Sequence, residues 1–170
     1  SKNTTGRSFT LCGTSDFMSP EQVTNKGANY TSDWWSVGVL AYELFTGEAP
    51  FSTPESREMK IYATISAYKH KSLEIAGCGD KLSDFIHALL NPSISDRLGS
   101  GGGNCLKGYK DVMNHDLFVD FDWDSLNSGD IISPHRESAR TFLNKFVSGE
   151  MEIKLEEAKS ISDEAWCKEW

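Results

Sequence analysis

The sequence predicts a mainly α-helical body followed by an extended C-terminal tail, and three observations predict it. No period-2 alternation of apolar and polar residues runs for any length in the 170 residues, so strands lack their signature. Residues 34–45 are nearly all apolar, and their side chains cover almost every face of a 3.6-residue repeat. Beyond Val119 that order dissolves into alternating charge, Ser133-Pro134 and poor apolar periodicity, the pattern of a tail lying on a surface. The body is therefore expected to surround one central helix.

Taken in order, residues 1–30 are polar, rich in Thr, Ser, Gly and Asn, and read as loop with one helical turn around Pro20–Val23. Thr31 or Ser32 can cap the central helix through Trp34, Trp35, Val37, Val39, Leu40, Tyr42, Leu44 and Phe45. Gly47 supplies a left-handed stop and Pro50 prevents continuation. Thr53-Pro54-Glu55 opens the next helix with a cap, a proline at the first helical position and an acid in the first turn. Met59, Tyr62 and Ile65 or Ile61 give that helix one apolar stripe. A third helix near Lys81 spaces Leu82, Phe85, Ile86, Leu89 and Leu90 at i, i+3, i+4, i+7, i+8, and Pro92 ends it. Residues 99–103 read as a flexible glycine loop, 111–118 as a short last helix, and 155–159 as a weak helix within the tail.

Composition narrows the function classes. A net charge of −8 argues against nucleic acid or an anionic membrane surface as a main partner and permits a basic one. The nearly apolar run of residues 34–45 is well short of the ~20 residues that cross a bilayer. There is no initiator Met and no charged-then-apolar leader, so Ser1 reads as a cut end. Cys12, Cys78, Cys105 and Cys167 are far apart without a Cys-x-x-Cys, which points to reduced thiols in a cytoplasmic protein and to no zinc site. His70, His87, His115 and His135 are equally scattered, with surface or core roles favoured over metal ligation.

The chemistry-bearing motifs stand in a fixed order. They are Thr10-Leu11-Cys12-Gly13-Thr14, Ser19-Pro20-Glu21, Ser32-Asp33-Trp34-Trp35-Ser36-Val37-Gly38-Val39-Leu40, Tyr42-Glu43-Leu44, Gly47-Glu48-Ala49-Pro50-Phe51 and Asp96-Arg97-Leu98-Gly99. In that order and spacing they resemble the large, C-terminal lobe of a eukaryotic Ser/Thr protein kinase from the activation segment onward. The group resembled is that of the cyclic-nucleotide-dependent kinases and protein kinase C. The resemblance implies a partial kinase domain over residues 1–118 and a C-terminal extension over 119–170.

It also implies roles for particular residues. Thr10 matches the activation-loop phosphorylation site, where a phosphate adds about −1.5 to −2 charges and can order a loop against cations; Ser8 is a second acceptor. Lys2 matches a lysine that helps hold that phosphate. Leu11, Gly13 and Met18 match the wall that receives the substrate residue after the phosphoacceptor. Thr14 matches the threonine that supports the catalytic aspartate and lysine. Asp16 and Glu43 match acids that meet a substrate arginine through charge-assisted bonds, which implies basic peptide substrates. Glu21 and Arg97 match a buried ion pair beneath the substrate loop, and losing one partner of such a pair costs about 3–5 kcal/mol. Asp33 matches an aspartate that accepts backbone N–H groups from the catalytic loop. Ser15, Asp16, Phe17 and Ser19 depart from the usual Pro, Glu, Tyr and Ala, which bears on peptide selection.

Ile131-Ile132-Ser133-Pro134 and an aromatic at Phe142 or Phe146 resemble the extension that wraps the small lobe, and Trp166 and Trp170 its terminal aromatic pair. Residues 1–170 hold no His-Arg-Asp, no Asp-Phe-Gly and no Val-Ala-x-Lys, so no catalytic residue is assigned within the chain. ATP and Mg²⁺ are implied for the longer kinase, with the missing N-terminal part in cis, protein or peptide substrates, and a regulatory domain or subunit as partners. The glycine loop is no phosphate cradle, because no Lys-Ser/Thr follows it and no strand precedes it. The competing class is a pseudokinase or helical binding module that keeps the shape without the chemistry.

Overall fold

The computed structural model describes residues 14–53 and 56–148, excluding the side chains of Phe142 and Phe146. Every element among them is helical: α1 (Pro20–Val23), α2 (Tyr30–Thr46), α3 (Glu58–Ala67), α4 (Asp80–Leu89), α5 (Cys105–Met113), α6 (Trp123–Ser128) and α7 (Arg136–Val147), with short 3-10 turns at Ser15–Phe17, Gly101–Gly103 and Asp116–Phe118. The chain divides into two units, Ser1–Phe121 and Asp122–Trp170.

In the first unit α2 is the central element, and α4 is its main packing partner. The cap of α2 is Asn29, not Thr31 or Ser32: the Asn29 side chain accepts the Thr31 backbone N–H at 2.9 Å. Asn29 is extended, so its carbonyl oxygen reaches forward to the helix end, whereas Thr31 and Ser32 already lie within the first turn and are buried. Gly47, left-handed, ends the helix with its N–H on the Glu43 carbonyl at 2.8 Å. Trp35 and Val39 are fully buried in a cluster with Phe51, Ile61, Ile65, Ile86 and Leu90. The Trp35 ring stacks on Phe51 at 5.4 Å between centroids and meets Tyr68 edge-on at 5.9 Å. At Gly38 the backbones close up: a Cβ there would stand 2.9 Å from the Leu89 Cβ.

The expectation that α2 is surrounded on all sides is corrected for part of its length. Val37, Leu40, Leu44 and Phe45 are exposed among the described residues, with Leu44 79% accessible. The buried positions Thr31, Ser32, Trp35, Gly38 and Val39 form one stripe at helical spacing; α3 and α4 pack on its Trp35 and Val39, and Glu21 and Arg97 bond to Ser32 and Thr31.

Other boundaries move for local reasons. The helix expected from Thr53 begins at Glu58, because Thr53 and Ser56 close a turn of their own: the Thr53 N–H donates to the Ser56 hydroxyl at 3.0 Å and the Ser56 N–H to the Thr53 carbonyl at 2.8 Å. Ile61 and Ile65 form the buried stripe of α3, whereas Met59 is exposed. The third helix is as expected, with Phe85, Ile86, Leu89 and Leu90 buried. Phe85, Leu89 and Val112 make a second cluster, flanked by Trp34, Leu98, Leu117 and Phe118.

The glycine loop is packed at Gly99 and Gly101, whereas Gly102 and Gly103 are exposed. A Cβ on Gly99 would meet the Trp34 indole at 2.4 Å, and one on Gly108 would stand 1.9 Å from the Gly99 carbonyl oxygen. The Tyr30 hydroxyl donates to the Ser100 carbonyl at 2.5 Å. The last helix of this unit starts earlier than 111, at Cys105, because Asn104 caps it by accepting the Leu106 and Lys107 N–H groups at 3.0 and 3.2 Å. It stops at Met113, and His115 then caps the separate turn Asp116–Phe118.

The second unit corrects the expected extended tail. Asp122 caps α6 by accepting the Ser125 N–H at 3.0 Å, and left-handed Gly129 ends it. In α7 the sequence positions Ala139, Phe142, Leu143, Phe146 and Val147 repeat at i, i+3, i+4, i+7, i+8, an apolar stripe that alternating charge hides by eye. Leu143 and Val147 are exposed. Residues 155–159, Trp166 and Trp170 lie outside the described residues.

Candidate functional site

The site is built where α1, the start of α2 and the segment after α4 meet. Ser19 opens α1 by giving both its N–H and its hydroxyl to the Gln22 side-chain carbonyl, each at 2.9 Å. Pro20 follows at the first helical position, where no N–H is missed. This single turn delivers Glu21 inward, 3% exposed, against Arg97, 1% exposed.

Their contact is bidentate. Arg97 Nη1 donates to Glu21 Oε1 at 2.7 Å and Nη2 to Oε2 at 2.9 Å. Two more Arg97 hydrogens are placed as well: Nε on the Asn91 carbonyl at 2.9 Å and Nη1 also on the Thr31 carbonyl at 2.9 Å. The Ser32 hydroxyl gives Glu21 Oε1 a further bond at 2.8 Å. The guanidinium carbon lies 5.2 Å from the Trp35 ring centroid, within cation–π range. Two buried charges are thus matched by hydrogen bonds, the condition under which burying an ion pair is tolerable. Burial pushes the Glu21 carboxyl up, but the bond to Arg97, the Arg97 charge and the Ser32 bond outweigh it and hold Glu21 below the usual carboxylate range.

Immediately before this pair, residues 14–18 form a tight 3-10 turn, with the Phe17 N–H on the Thr14 carbonyl at 3.2 Å and the Met18 N–H on the Ser15 carbonyl at 3.3 Å. The Ser36 hydroxyl, one turn into α2, donates to the Phe17 carbonyl at 2.9 Å and fastens the turn to the helix. Thr14 is exposed. Asp16 accepts from the Ser52 hydroxyl, and the Ser15 hydroxyl reaches its other oxygen at 3.4 Å. Glu43 is half-buried, on the C-terminal half of α2.

Two assignments meet a different environment from the one expected. Met18, assigned to a substrate-facing wall, is buried, because the turn closing on Ser15 and the Ser36 clasp draw it in. Asp33 is exposed, since α2 starts at Tyr30 and Asp33 falls on the side opposite the buried stripe, in line with Val37, Leu40 and Leu44. Lys2, Ser8, Thr10, Leu11 and Gly13 lie outside the described residues.

Sequence reasoning missed the grouping of histidines around α4. His70 Nε2 lies 3.0 Å from the His87 carbonyl, and His115 Nε2 lies 3.4 Å from Asp84 Oδ2. His115 Nδ1 accepts the Leu117 N–H at 3.2 Å, and its ring meets Phe85 at 5.1 Å. Burial, with His70 and Lys71 nearby, pulls the His87 imidazole below its ordinary value against the opposing influence of Asp84. No signal in the sequence places these residues together, because their approach depends on the path between α3 and α4.

Protein kinases use ATP and Mg²⁺. No group of three His, Cys, Asp or Glu among them could hold a metal ion. In the glycine loop Trp34 stands against Gly99 and the Gly108 backbone against Gly101. No helix among the described residues is long and apolar enough to cross a membrane.

Comparison with known proteins completes the picture. The family described as "Protein kinase domain" matches residues 1–118. A cGMP-dependent protein kinase of Eimeria tenella is 31% identical over 170 residues, covering 99% of this chain and 16% of that protein. A cAMP-dependent protein kinase catalytic subunit of Arthrobotrys oligospora is 34% identical over 134 residues, 75% of this chain and 23% of that protein. The cAMP-dependent protein kinase type 3 of Saccharomyces cerevisiae is 36% identical over 127 residues, 75% of this chain and 30% of that protein. The chain thus spans less than a third of the length of each of these relatives. With its motifs in family order and a domain match over most of its length, the chain belongs to the protein kinase family and resembles the cyclic-nucleotide-dependent Ser/Thr kinases.

Proposed function

We propose that this chain supplies the activation loop and the peptide-binding surface of a Ser/Thr kinase that transfers the ATP γ-phosphate to basic protein substrates. The observation that carries the reading is the Glu21–Arg97 pair within the family match. It holds α1 beside α2, and the Ser36 bond to the Phe17 carbonyl seats the preceding Thr14–Met18 turn, which supports a rigid floor for a substrate loop.

In this reading Thr10 is the phosphorylated switch and Lys2 one of its cationic partners. Leu11 and Gly13 shape the pocket beside the phosphoacceptor, and the buried Met18 supports it from within. Asp16 and Glu43 receive a substrate arginine, with Ser52 holding the Asp16 carboxylate until the guanidinium takes its place. Thr14 and Asp33 support a catalytic loop supplied from outside this chain, as are the residues that bind ATP and Mg²⁺. The exposed side of Asp33 and the exposed apolar residues of α2 suit a surface that other kinase segments cover. Residues 119–170 serve as a C-terminal extension, and regulation comes from a domain or subunit beyond this chain.

The test is phosphoryl transfer by the full-length protein with MgATP and arginine-containing Ser/Thr peptides. Thr10→Ala is expected to lower kcat/KM at least tenfold, and Asp16→Asn with Glu43→Gln to raise KM for arginine-containing peptides while sparing peptides without them. A full-length protein that binds partners yet transfers no phosphate would make this lobe a binding module and overturn the reading.

A further inference from the structure

Ser19, Thr53 and Ser133 are each followed by proline, and the structure separates them. Ser19 is fully buried and its hydroxyl is given to Gln22. Thr53 is exposed, but its hydroxyl pairs with Ser56 at 3.1 Å, and the residue three places on is Ser56, which carries no charge. Ser133 lies in the exposed segment between α6 and α7, with an exposed Arg136 three places on. Its Oγ accepts the His135 N–H at 3.2 Å, a solvent-side contact that leaves the oxygen at the surface.

We propose that Ser133 is a phosphorylation site for a proline-directed Ser/Thr kinase, read through Pro134 and Arg136. The recognition has a physical basis. Pro134 has no N–H to leave unpaired in an apolar groove, and its fixed φ presets an extended approach. The Arg136 guanidinium can make charge-assisted bonds to carboxylates or phosphate on the modifying enzyme. In the transfer, Ser133 Oγ bonds to the γ-phosphorus of ATP while the bond from that phosphorus to the β,γ-bridging oxygen breaks. ADP leaves, and the hydroxyl proton passes to the modifying kinase's own base.

The consequence falls on α7. Its helix begins at Arg136, so the new phosphate, worth about −1.5 to −2 charges, sits just before a helix N-terminus whose first N–H groups lack helical partners. Arg136 and Arg140, one turn apart, are cations of the same helix start. Phosphorylation would therefore hold α7 formed for a larger share of the time, and with it the apolar stripe that includes Leu143 and Val147. This inference is independent of the proposed catalytic role, because here the chain is substrate rather than enzyme.

The experiment incubates the intact chain with MgATP and a purified proline-directed Ser/Thr kinase and maps phosphate by tandem mass spectrometry. Ser133 is expected to be modified, at least tenfold more slowly in Pro134→Ala, several-fold more slowly in Arg136→Ala, and not at all in Ser133→Ala. An unmodified Ser133, or equal rates in Pro134→Ala, overturns the site. Hydrogen exchange then follows the α7 amides of the phosphorylated chain, where exchange about two- to five-fold slower is expected from a charge at a helix N-terminus. Unchanged exchange overturns the effect on the helix.

Discussion

The two faces of α2 both carry apolar side chains and meet opposite environments. On one face Trp35 and Val39 are fully buried, and Thr31 and Ser32 carry bonds to the Glu21–Arg97 pair. On the other, Val37, Leu40 and Leu44 are exposed among the described residues. Apolar sequence sets how much a helix can bury; the neighbours that fold against it set how much it does. The difference also separates jobs. The covered face carries the ion pair next to the turn of Thr14 and Asp16, while the open face offers surface.

The sharpest way to break that contrast is to remove one charge from the pair beneath the covered face. Arg97→Ala in the intact chain is expected to cost about 3–5 kcal/mol in denaturant unfolding, because Glu21 is left buried without its partner. A loss below about 1 kcal/mol would mean the pair anchors nothing. Trp35→Ala is expected to cost a comparable 3–5 kcal/mol through the cavity it leaves between Phe51 and Tyr68. Next comes Gly38→Ala, about 1–3 kcal/mol, since the new methyl must displace Leu89 or the α4 backbone. At the far end, Leu44→Ala should stay within about 0.5 kcal/mol, as expected of an exposed position. An equally large loss there would erase the distinction between the faces.

Acid sharpens the comparison through one group. Glu21 titrates below the usual carboxylate range in the folded chain, so the unfolded chain binds the proton first as pH falls. Its contribution is therefore complete at neutral pH and is lost as pH drops below that range, through the depressed folded value. Unfolding free energy should fall on acidification, and Glu21→Gln should flatten that slope at the expense of stability at neutral pH. Identical slopes in both proteins would show that the pair does not govern acid stability.

Local sequence made much of this fold legible. The Pro20–Val23 turn, the Gly47 stop and the α4 stripe follow from proline, glycine and apolar spacing, all decided within a few residues. Less legible were the helices beyond residue 119, where Asp122, Gly129 and a stripe through Ala139, Leu143 and Val147 act beneath a pattern of charges. In the candidate site, motif order was readable, and so was the pairing of Glu21 with Arg97 through resemblance. The hold of Ser52 on Asp16, the burial of Met18 and the histidines around α4 were not, because each depends on where distant segments come to rest.

The sequence by itself determined the helical character of the body, its family and the residues able to carry charge at the site. Which side of α2 would be covered, and how completely Glu21 and Arg97 would be enclosed, only the tertiary structure decided. Helix formation answers to neighbours along the chain, whereas burial and the strength of a charge pair answer to everything that packs around them, and that is set at long range.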